Sequence, residues 1–473
     1  MGQNSAYRPA LEQAFKHSLR HLENLDYTSV ASTSTLIELR KCLTHPLNDE
    51  SIDAATVIDE LVSDTAGGLL GSAGGRFFGW AIGGSVPAAL AADWLTSAWD
   101  QNAALYACSP AEAVIEEICG SWLKELFDLP TTASFALVTG SQMAHVTCLA
   151  AARNALLSKT NWNVECNGLN GAPHIRILSS TERHGSIERA IRLLGLGSDS
   201  VVDLPVDCQG RLLINSIADA MKSNPETLTI IVLQAGDLNI GAYDSFSEII
   251  PIARSYNAWV HVDGAFGLWV ATSPKYCHLL KDANLADSWV TDGHKWLNVP
   301  YDCGYAFVAN SKSHHDSISH RASYLIHDED ARDQIDWNPE WSRRGRSVST
   351  YAAIRQLGRN GISDLIERTC RHAHSLVTRI GELRGVEIMW EPQINQGLVR
   401  FIDLTPGATE LDHDLYTEKV MEAIRKSGEA FFSGTTWRGK RCMRVSVMNW
   451  QTNDEDVNRS VATVEKVLCK LSQ

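Results

Sequence analysis

The spacing of apolar and polar positions divides the chain into regions of different predicted structure. Residues 8–45 and 53–62 show an amphipathic helical pattern, with leucine and phenylalanine about four positions apart. A glycine-rich stretch at 67–75 interrupts this pattern, and helical spacing returns over 110–127. From 135 to 310 short apolar runs alternate with helix-like segments, which predicts strands separated by helices.

Seven apolar runs in this central region predict β-strands. They are residues 135–138, 175–179, 201–204, 227–233, 259–262, 288–291 and 304–308. Strands that alternate with helices at this spacing are typical of an α/β fold, in which helices cover both faces of a mostly parallel sheet. In such sheets ligands bind at the carboxyl ends of the strands, so we expect functional residues directly after the apolar runs.

The C-terminal part of the chain has a different pattern. Helices dominate 347–384, and short apolar runs then alternate with two further helices, which predicts a small α+β domain. We therefore predict three domains. They are an N-terminal helical segment (1–85), a large α/β domain with the ligand site (86–345) and a small C-terminal domain (346–473).

Composition and charge restrict the function. The 473 residues carry a formal net charge of −14, which disfavours nucleic acid and anionic membranes as partners. The 11 cysteines are scattered without a C-x-x-C pair, which favours reduced thiols in the cytoplasm and no metal site. The N-terminus shows no signal-peptide pattern, and no apolar stretch is long enough to span a bilayer.

Two polar residues follow neighbouring predicted strands. Asp263 ends the run 259–262, and Lys295, preceded by His294, follows the run 288–291. Taken alone, Asp263 is equally typical of a helix cap, and a single lysine is nearly always a solvated surface residue. Together they point into one end of the sheet. Pyridoxal 5′-phosphate (PLP) requires such a pair, since an amine condenses with its aldehyde and a carboxylate keeps its pyridine nitrogen protonated.

Two further segments supply the other groups that PLP requires. Gly140, Ser141 and Gln142 lead from a predicted strand into a helix, whose N-terminus favours an anion such as phosphate. His184 follows another strand and is placed to stack on a cofactor ring. Alone, the first segment is an ordinary helix start, and a single histidine is more often structural.

Taken together, these motifs resemble the group II PLP-dependent decarboxylases, which include the aromatic amino-acid, glutamate and histidine decarboxylases. The segments that carry the resemblance are HVDGAFG (261–267), DGHKW (292–296), RHGSIERA (183–190), residues 76–110 and WSRRGR (341–346). The similarity extends over about residues 50–460. It implies the PLP-dependent transferase fold of the aspartate aminotransferase type (fold-type I), and a homodimer with active sites at the subunit interface.

The resemblance also implies roles for individual residues. Lys295 is then the Schiff-base lysine, Asp263 pairs with the pyridine nitrogen, Ala265 lies under the ring and His184 stacks over it. The residues implied to contact the phosphate are Ser141, Gln142 and His294.

Some positions depart from the family pattern. The phosphate turn reads TGSQMA (139–144), and we interpret Gln234, in another altered segment, as a cofactor contact. Asp292 stands where many members have asparagine near the phosphate. Since a carboxylate beside a phosphate dianion is unfavourable, we expect Asp292 to point elsewhere or to be neutralised.

One further departure concerns the residue that donates a proton after CO₂ leaves. In many family members a tyrosine in a loop before the R-R-x-R element donates this proton. In this chain Tyr324 is the candidate, with His327 or a residue of the other subunit as alternatives. Simple packing is an equally good interpretation of Tyr324.

The expected reaction is decarboxylation of an L-amino acid to its amine and CO₂, through an external aldimine formed in place of Lys295. Phe78, Trp80 and Arg444 are candidate substrate contacts, although the aromatic pair also fits a core and Arg444 an ion pair. Two alternatives stay open. One is an aminotransferase or carbon–carbon lyase on the same scaffold, and the other is a binding protein that keeps the fold without turnover.

Overall fold

The computed structural model describes residues 6–320 and 331–472, and all elements below belong to these ranges. The strands are β1 (Phe77–Phe78), β2 (Ser134–Val138), β3 (Ile175–Ser180), β4 (Val201–Leu204), β5 (Leu228–Gln234), β6 (Trp259–Asp263), β7 (Ser288–Asp292), β8 (Gly304–Val308), β9 (Val386–Trp390), β10 (Gln396–Phe401), β11 (Phe431–Trp437) and β12 (Lys440–Ser446). The helices are α1 (Tyr7–Glu23), α2 (Leu36–Leu43), α3 (Ala54–Asp64), α4 (Pro87–Trp99), α5 (Pro110–Leu126), α6 (Ser141–Ser158), α7 (Val164–Asn167), α8 (Gly185–Leu193), α9 (Ile214–Ser223), α10 (Phe246–Ser255), α11 (Ser311–Ile318), α12 (Arg346–Gly381), α13 (Glu410–Ser427) and α14 (Asp454–Leu471).

Seven strands form the sheet of the larger unit, in the order β2-β8-β7-β6-β5-β3-β4. Only β8 among them runs antiparallel to its neighbours, so the carboxyl ends of the other six strands meet at one edge. Every residue of β6 and β7 is buried, because helices cover both faces of the sheet. The mostly parallel sheet expected from the apolar runs is therefore confirmed.

Helix α6 crosses the sheet and fixes the position of the candidate site. Small side chains such as Ala144, Ala151 and Ala152 are fully buried, which allows the helix to lie close to the strands. It begins three residues after the carboxyl end of β2. Its N-terminus, where the first backbone N–H groups have no helical carbonyl to bind, is thereby fixed at the edge where the parallel strands end.

The smaller unit contains a second sheet in the order β1-β11-β12-β10-β9. Strand β1 pairs parallel with β11, whereas β11 and β12 pair antiparallel, as do β9 and β10. Helices α13 and α14 pack together in this unit. The predicted α+β character of the C-terminal region is therefore confirmed, with the short strand β1 as an additional member of its sheet.

The two compact units do not follow the order of the chain. The larger unit comprises Ala81–His374 and Pro392–Gly397. The other contains the described residues up to Trp80, Ser375–Glu391 and the chain from Leu398 onward. These bounds differ from the division at 85/86 and 345/346, which stays a prediction about domains. Within the described ranges, we find no helix with the length and apolar character that a bilayer crossing demands.

Candidate active site

A cavity of about 480 Å³ lies in the larger unit at the carboxyl ends of the parallel strands. Pockets of this size are typical of small-molecule sites. All the residues predicted to contact the cofactor line it, namely Ser141, Gln142, His184, Gln234, Asp263, Ala265, His294 and Lys295. The structure therefore brings these residues together, while the role of each stays a prediction.

Asp263 and Lys295 enter this cavity from the ends of two adjacent strands. Asp263 is the last residue of β6, and only 7 % of its surface is exposed. One carboxylate oxygen accepts the N–H of Ala265 at 3.2 Å, and its carbonyl accepts the N–H of Ala235 at 2.8 Å. Lys295 follows β7, and its Nζ lies 3.0 Å from Oδ2 of Asp292. The amine and the carboxylate thus face one space from neighbouring strands.

A chain of buried polar groups continues behind Asp263. Nε2 of His145 lies 3.7 Å from Oδ2 of Asp263, and Nδ1 of His145 lies 3.0 Å from Nε2 of His261. Nδ1 of His261 in turn lies 2.8 Å from the hydroxyl of Ser288, which also accepts the indole N–H of Trp259. Nε2 of His145 makes no hydrogen bond within the described residues, so the chain of hydrogen bonds ends at this ring, beside the carboxylate.

Both imidazoles of this chain are neutral at neutral pH. Burial lowers the pKa of His145, with the charge of Asp263 opposing the effect, and burial lowers the pKa of His261 well below its ordinary value. A neutral imidazole does not cancel the charge of the carboxylate, so Asp263 is left able to pair with a cation. The sequence offered no local signal for His145, which lies on an otherwise apolar helix.

The start of α6 has the donors that a phosphate group requires. Ser141 is the first residue of the helix, and its buried hydroxyl has no hydrogen-bond partner within the described residues. The glycine at position 140 leaves room for the ring of His294, because a Cβ on residue 140 would lie only 3.1 Å from Cε1 of His294. Gln142 donates through its amide to the carbonyl of Ser186 at 3.2 Å. An unpaired hydroxyl at a helix N-terminus fits an anion.

His294 is held in one orientation by its neighbours. Its ring stacks on Tyr301 with centroids 4.4 Å apart, and its Nδ1 accepts the backbone N–H of Cys303 at 3.2 Å. Burial lowers the pKa of His294, with Asp292 opposing the effect, so the imidazole is neutral at neutral pH. Since Nδ1 is an acceptor, the proton is on Nε2, which can donate to an anion.

Asp292 points toward the start of α6, where the sequence predicts that the phosphate binds. Its Oδ1 accepts the backbone N–H of Ser141 at 2.6 Å, and its Oδ2 lies 3.0 Å from Lys295 and 3.8 Å from His294. Burial favours a higher pKa for Asp292, but the positive charge of Lys295 and the hydrogen bonds that the carboxylate accepts outweigh burial and lower the pKa below its ordinary value. Of the two outcomes expected from the sequence, neutralisation by a partner charge is the one found.

The segment before α4 packs against the loop that carries Lys295. A Cβ at Gly83 would overlap the carbonyl oxygen of Lys295. The neighbouring Gly84 donates its N–H to the side chain of Asn298 at 2.9 Å, and Val86 donates to the carbonyl of Asn298 at 2.8 Å. These contacts hold the loop that carries Lys295 in place.

The other predicted cofactor contacts are held by their own hydrogen bonds. His184 caps α8, with Nδ1 accepting the N–H of Ser186 at 3.2 Å, and its side chain is exposed at the cavity. Gln234 donates through its side chain to the carbonyl of Glu182 at 3.4 Å. Ala265 accepts the N–H of Asp292 at 2.9 Å, which ties the ends of β6 and β7 together.

The three candidate substrate contacts all belong to the smaller unit. Phe78 is buried in β1 and stacks on Phe432 with centroids 5.2 Å apart. Trp80 is 48 % exposed, whereas Arg444 is buried in β12 opposite Ser433. Their roles toward substrate stay predictions. Tyr324 and His327, the candidate proton donors, lie outside the described residues.

Several cavity residues were not foreseen from the sequence. They are Ser186, Arg189, Gly236, Leu238 and Phe266. Arg189 adds a positive charge to the cavity wall, and its position within the RHGSIERA segment is a signal that would have found it. The others follow strand ends, but their residue types carry no specific chemical signal.

The WSRRGR segment has a structural role in this chain. Arg343 is buried and pairs with Glu116 at 2.7 Å. It also donates to the carbonyl of Leu137 at 2.6 Å and to that of Ala103 at 2.8 Å. Arg343 thereby joins α5 to the end of β2, directly before the start of α6.

Comparison with known proteins gives matches over most of the chain. Residues 53–402 match the family model described as "Pyridoxal-dependent decarboxylase conserved domain". An aromatic-L-amino-acid decarboxylase of Bacillus atrophaeus is 23 % identical over 94 % of this chain and 92 % of its own length. A 4-hydroxyphenylacetaldehyde synthase of Rhodiola rosea is 25 % identical over 82 % of this chain and 79 % of its own length.

The fold also matches a solved structure. A crystal structure of Oryza sativa TDC with PLP and tryptamine superposes with a TM-score of 0.93 at 20 % identity, covering 100 % of this chain and 99 % of that one. This likeness confirms the fold class expected from the sequence, the PLP-dependent transferase fold of the aspartate aminotransferase type.

Proposed function

The chain belongs to the pyridoxal-dependent decarboxylase family, and we propose that it converts an L-amino acid to the corresponding amine and CO₂ with Lys295 as the residue that binds PLP covalently. The enzyme class, a PLP-dependent carboxy-lyase, follows from the family. The assignment of individual residues is the proposal. It is supported by the single cavity that Lys295, Asp263 and the start of α6 share.

The residues of the cavity fit the parts of the cofactor. Lys295 supplies an amine for the aldehyde, and Asp263 supplies a carboxylate for the pyridine nitrogen. The unpaired hydroxyl of Ser141, the N-terminus of α6 and Nε2 of His294 supply donors for the phosphate. When bound, PLP supplies a sink for the electron pair that remains at Cα after CO₂ leaves.

Asp263 has the task of holding a proton on the ring nitrogen. Because its neighbours His145 and His261 are neutral, they do not offset the negative charge of the carboxylate. An ionised carboxylate stabilises a protonated pyridine nitrogen. The hydrogen bond from Ala265 keeps the carboxylate in place.

Which bond of the substrate breaks depends on orientation. We propose that Phe78, Trp80 and Arg444 contact the substrate and that His184 covers the cofactor ring. We propose Tyr324 as the group that returns a proton to Cα.

The experiment is a screen of L-amino acids for CO₂ release by the PLP-loaded protein. A Lys295→Ala variant is the blank, and a Lys159→Ala variant is the matched control, since the amine of Lys159 donates to the exposed carbonyl of Asn257 at 3.1 Å. We expect one class of amino acid to release CO₂ with wild type and the control alone. Keto-acid formation without CO₂ would instead favour the aminotransferase alternative.

We also propose that the protein is a cytoplasmic homodimer. Leu11, Phe15 and Leu19 lie four positions apart on α1 and are 60 %, 52 % and 40 % exposed. An apolar stripe of this kind on a helix is typical of an interface. The cytoplasmic location is supported by scattered cysteines that are all free thiols. Sedimentation should give a mass of twice 52.0 kDa, and a Leu11→Glu substitution should shift it toward the monomer.

A further inference from the structure

The carboxylate of Asp292 lies where an anion would bind at the start of α6. Its Oδ1 accepts the backbone N–H of Ser141 at 2.6 Å, and only 2 % of the residue is exposed. The adjacent hydroxyl of Ser141 is buried and has no partner within the described ranges. The helix N-terminus therefore has a donor in use by Asp292 and a second donor still available.

Asp292 is confined to this position. A Cβ on Gly304 would lie 2.8 Å from Oδ1 of Asp292, so glycine at this position of strand β8 leaves the space that the carboxylate occupies. The backbone of Asp292 is also fixed, since its N–H binds Ala265 and its carbonyl accepts the indole N–H of Trp269 at 3.0 Å.

The charges around Asp292 make Lys295 its main partner. Nζ of Lys295 lies 3.0 Å from Oδ2, and the neutral His294 lies at 3.8 Å. Its charge also acts on His145, Tyr301 and Cys303, which are neutral at neutral pH. Once the amine of Lys295 condenses with an aldehyde, this ion pair is altered, and Asp292 faces any phosphate nearby without its former partner.

We propose that Asp292 competes with the phosphate group of the cofactor for the N-terminus of α6, so that this chain discriminates less strongly between PLP and unphosphorylated pyridoxal than its cavity would otherwise allow. The inference rests on the proposed function, in which the phosphate binds at Ser141. A phosphate monoester carries about 1.5 to 2 negative charges at pH 7, and like charges in a buried site disfavour each other.

The test compares two aldehydes in two proteins. Apoprotein of the wild type and of Asp292→Asn is titrated with PLP and with pyridoxal, and the dissociation constants are read from the absorbance of the bound cofactor. Both aldehydes react with the same amine, so any effect of the substitution on Lys295 changes both constants equally. The ratio of the two constants isolates the interaction with the phosphate.

We expect Asp292→Asn to raise the preference for PLP over pyridoxal by about tenfold or more. Asparagine keeps an oxygen that accepts the N–H of Ser141 while removing the charge. Asp292→Ser, which also removes the charge, is the second variant in case the first folds poorly. The matched control is Asp287→Asn. In the wild type the Asp287 carboxylate pairs with Arg254 at a distance of 2.7 Å, and neither residue lines the cavity. We expect this variant to leave the preference for PLP unchanged.

Three results would overturn the inference. If the preference for PLP and both dissociation constants were unchanged in both Asp292 variants, the carboxylate would not interact with the phosphate. A reduced preference would show that Asp292 assists phosphate binding, and equal tightening of both aldehydes would show that the effect acts through Lys295. If no protein bound PLP and borohydride trapped no adduct, the proposed function itself would fail.

Discussion

Nε2 of His145 lies 3.7 Å from Oδ2 of Asp263, and the opposite nitrogen of the same ring lies 3.0 Å from His261. The imidazole therefore faces the carboxylate with one nitrogen, at a distance longer than a hydrogen bond, and the sheet interior with the other. Because the ring is neutral, it does not compensate the charge of Asp263, and we expect it to act by limiting the positions of the carboxylate.

The two nitrogens of His145 can be replaced separately. In His145→Gln the amide nitrogen takes the place of Nε2 and keeps the contact with Asp263, whereas in His145→Asn it takes the place of Nδ1 and keeps only the contact with His261. We expect the asparagine variant to lose about tenfold in kcat with little change in KM, equivalent to roughly 1.4 kcal/mol, and the glutamine variant to retain most activity.

Steady-state kinetics of CO₂ release measures this difference, with thermal unfolding as a check that both variants fold. Equal activity of the two variants would contradict an orienting role for the Nε2 contact.

The stability of the larger unit should depend on pH through His314. This ring is buried, with Nδ1 2.9 Å from the hydroxyl of Ser134 and Nε2 2.9 Å from the carbonyl of Trp337. Burial, with a contribution from Arg332, lowers the pKa of His314 from 6.5 to about 3. Below pH 6.5 the unfolded chain binds a proton that the folded chain does not, so stability is complete above this pH and falls as the pH decreases toward 3.

We therefore expect His314→Gln to reduce the pH dependence of the free energy of unfolding by up to about 1.4 kcal/mol per pH unit below pH 6.5. Denaturant unfolding at several pH values from 7.5 down to 4.5 measures the slope, and the other histidines are common to both proteins. An identical slope for the variant would show that His314 does not titrate with unfolding.

A methyl group at Gly83 should disturb the loop of Lys295. In Gly83→Ala the new Cβ would overlap the carbonyl oxygen of Lys295, so the loop must shift. Overpacking of this kind costs about 1–3 kcal/mol, which corresponds to PLP binding weaker by roughly fivefold to 150-fold if the shift moves the amine. Gly74→Ala is the control, because its nearest neighbour, the carbonyl of Gly71, lies at an ordinary 3.4 Å.

Titration of the apoprotein with PLP gives the dissociation constants for wild type and both glycine variants. Unchanged binding by Gly83→Ala would show that the Lys295 loop accommodates the methyl group without moving the amine.

The large sheet was predictable because its strands are buried on both faces and therefore appear as continuous apolar runs. The run at 259–262 corresponds to β6, and that at 288–291 to β7, each extended by one residue to its terminal aspartate. The same reasoning explains why Asp263 and Lys295 were found, since residues directly after parallel strands meet at one edge.

Features that depend on distant partners were not predictable. Strand β1 consists of only Phe77 and Phe78, and its structure comes from pairing with Phe431 and Phe432 near the other end of the chain. No local periodicity can reveal such a pair. Likewise, the contact of His145 with Asp263 depends on how closely α6 packs on the sheet, and the sequence alone left two orientations open for Asp292.

The central claim is that the amine of Lys295 holds PLP opposite Asp263, and borohydride reduction of the PLP-loaded protein tests it most directly. Peptide mass spectrometry should then find the reduced pyridoxyl group on Lys295 in the wild type, and the group should be missing from Lys295→Ala. A reduced adduct on a different lysine of the wild type, or an adduct of full intensity in the variant, would contradict the account.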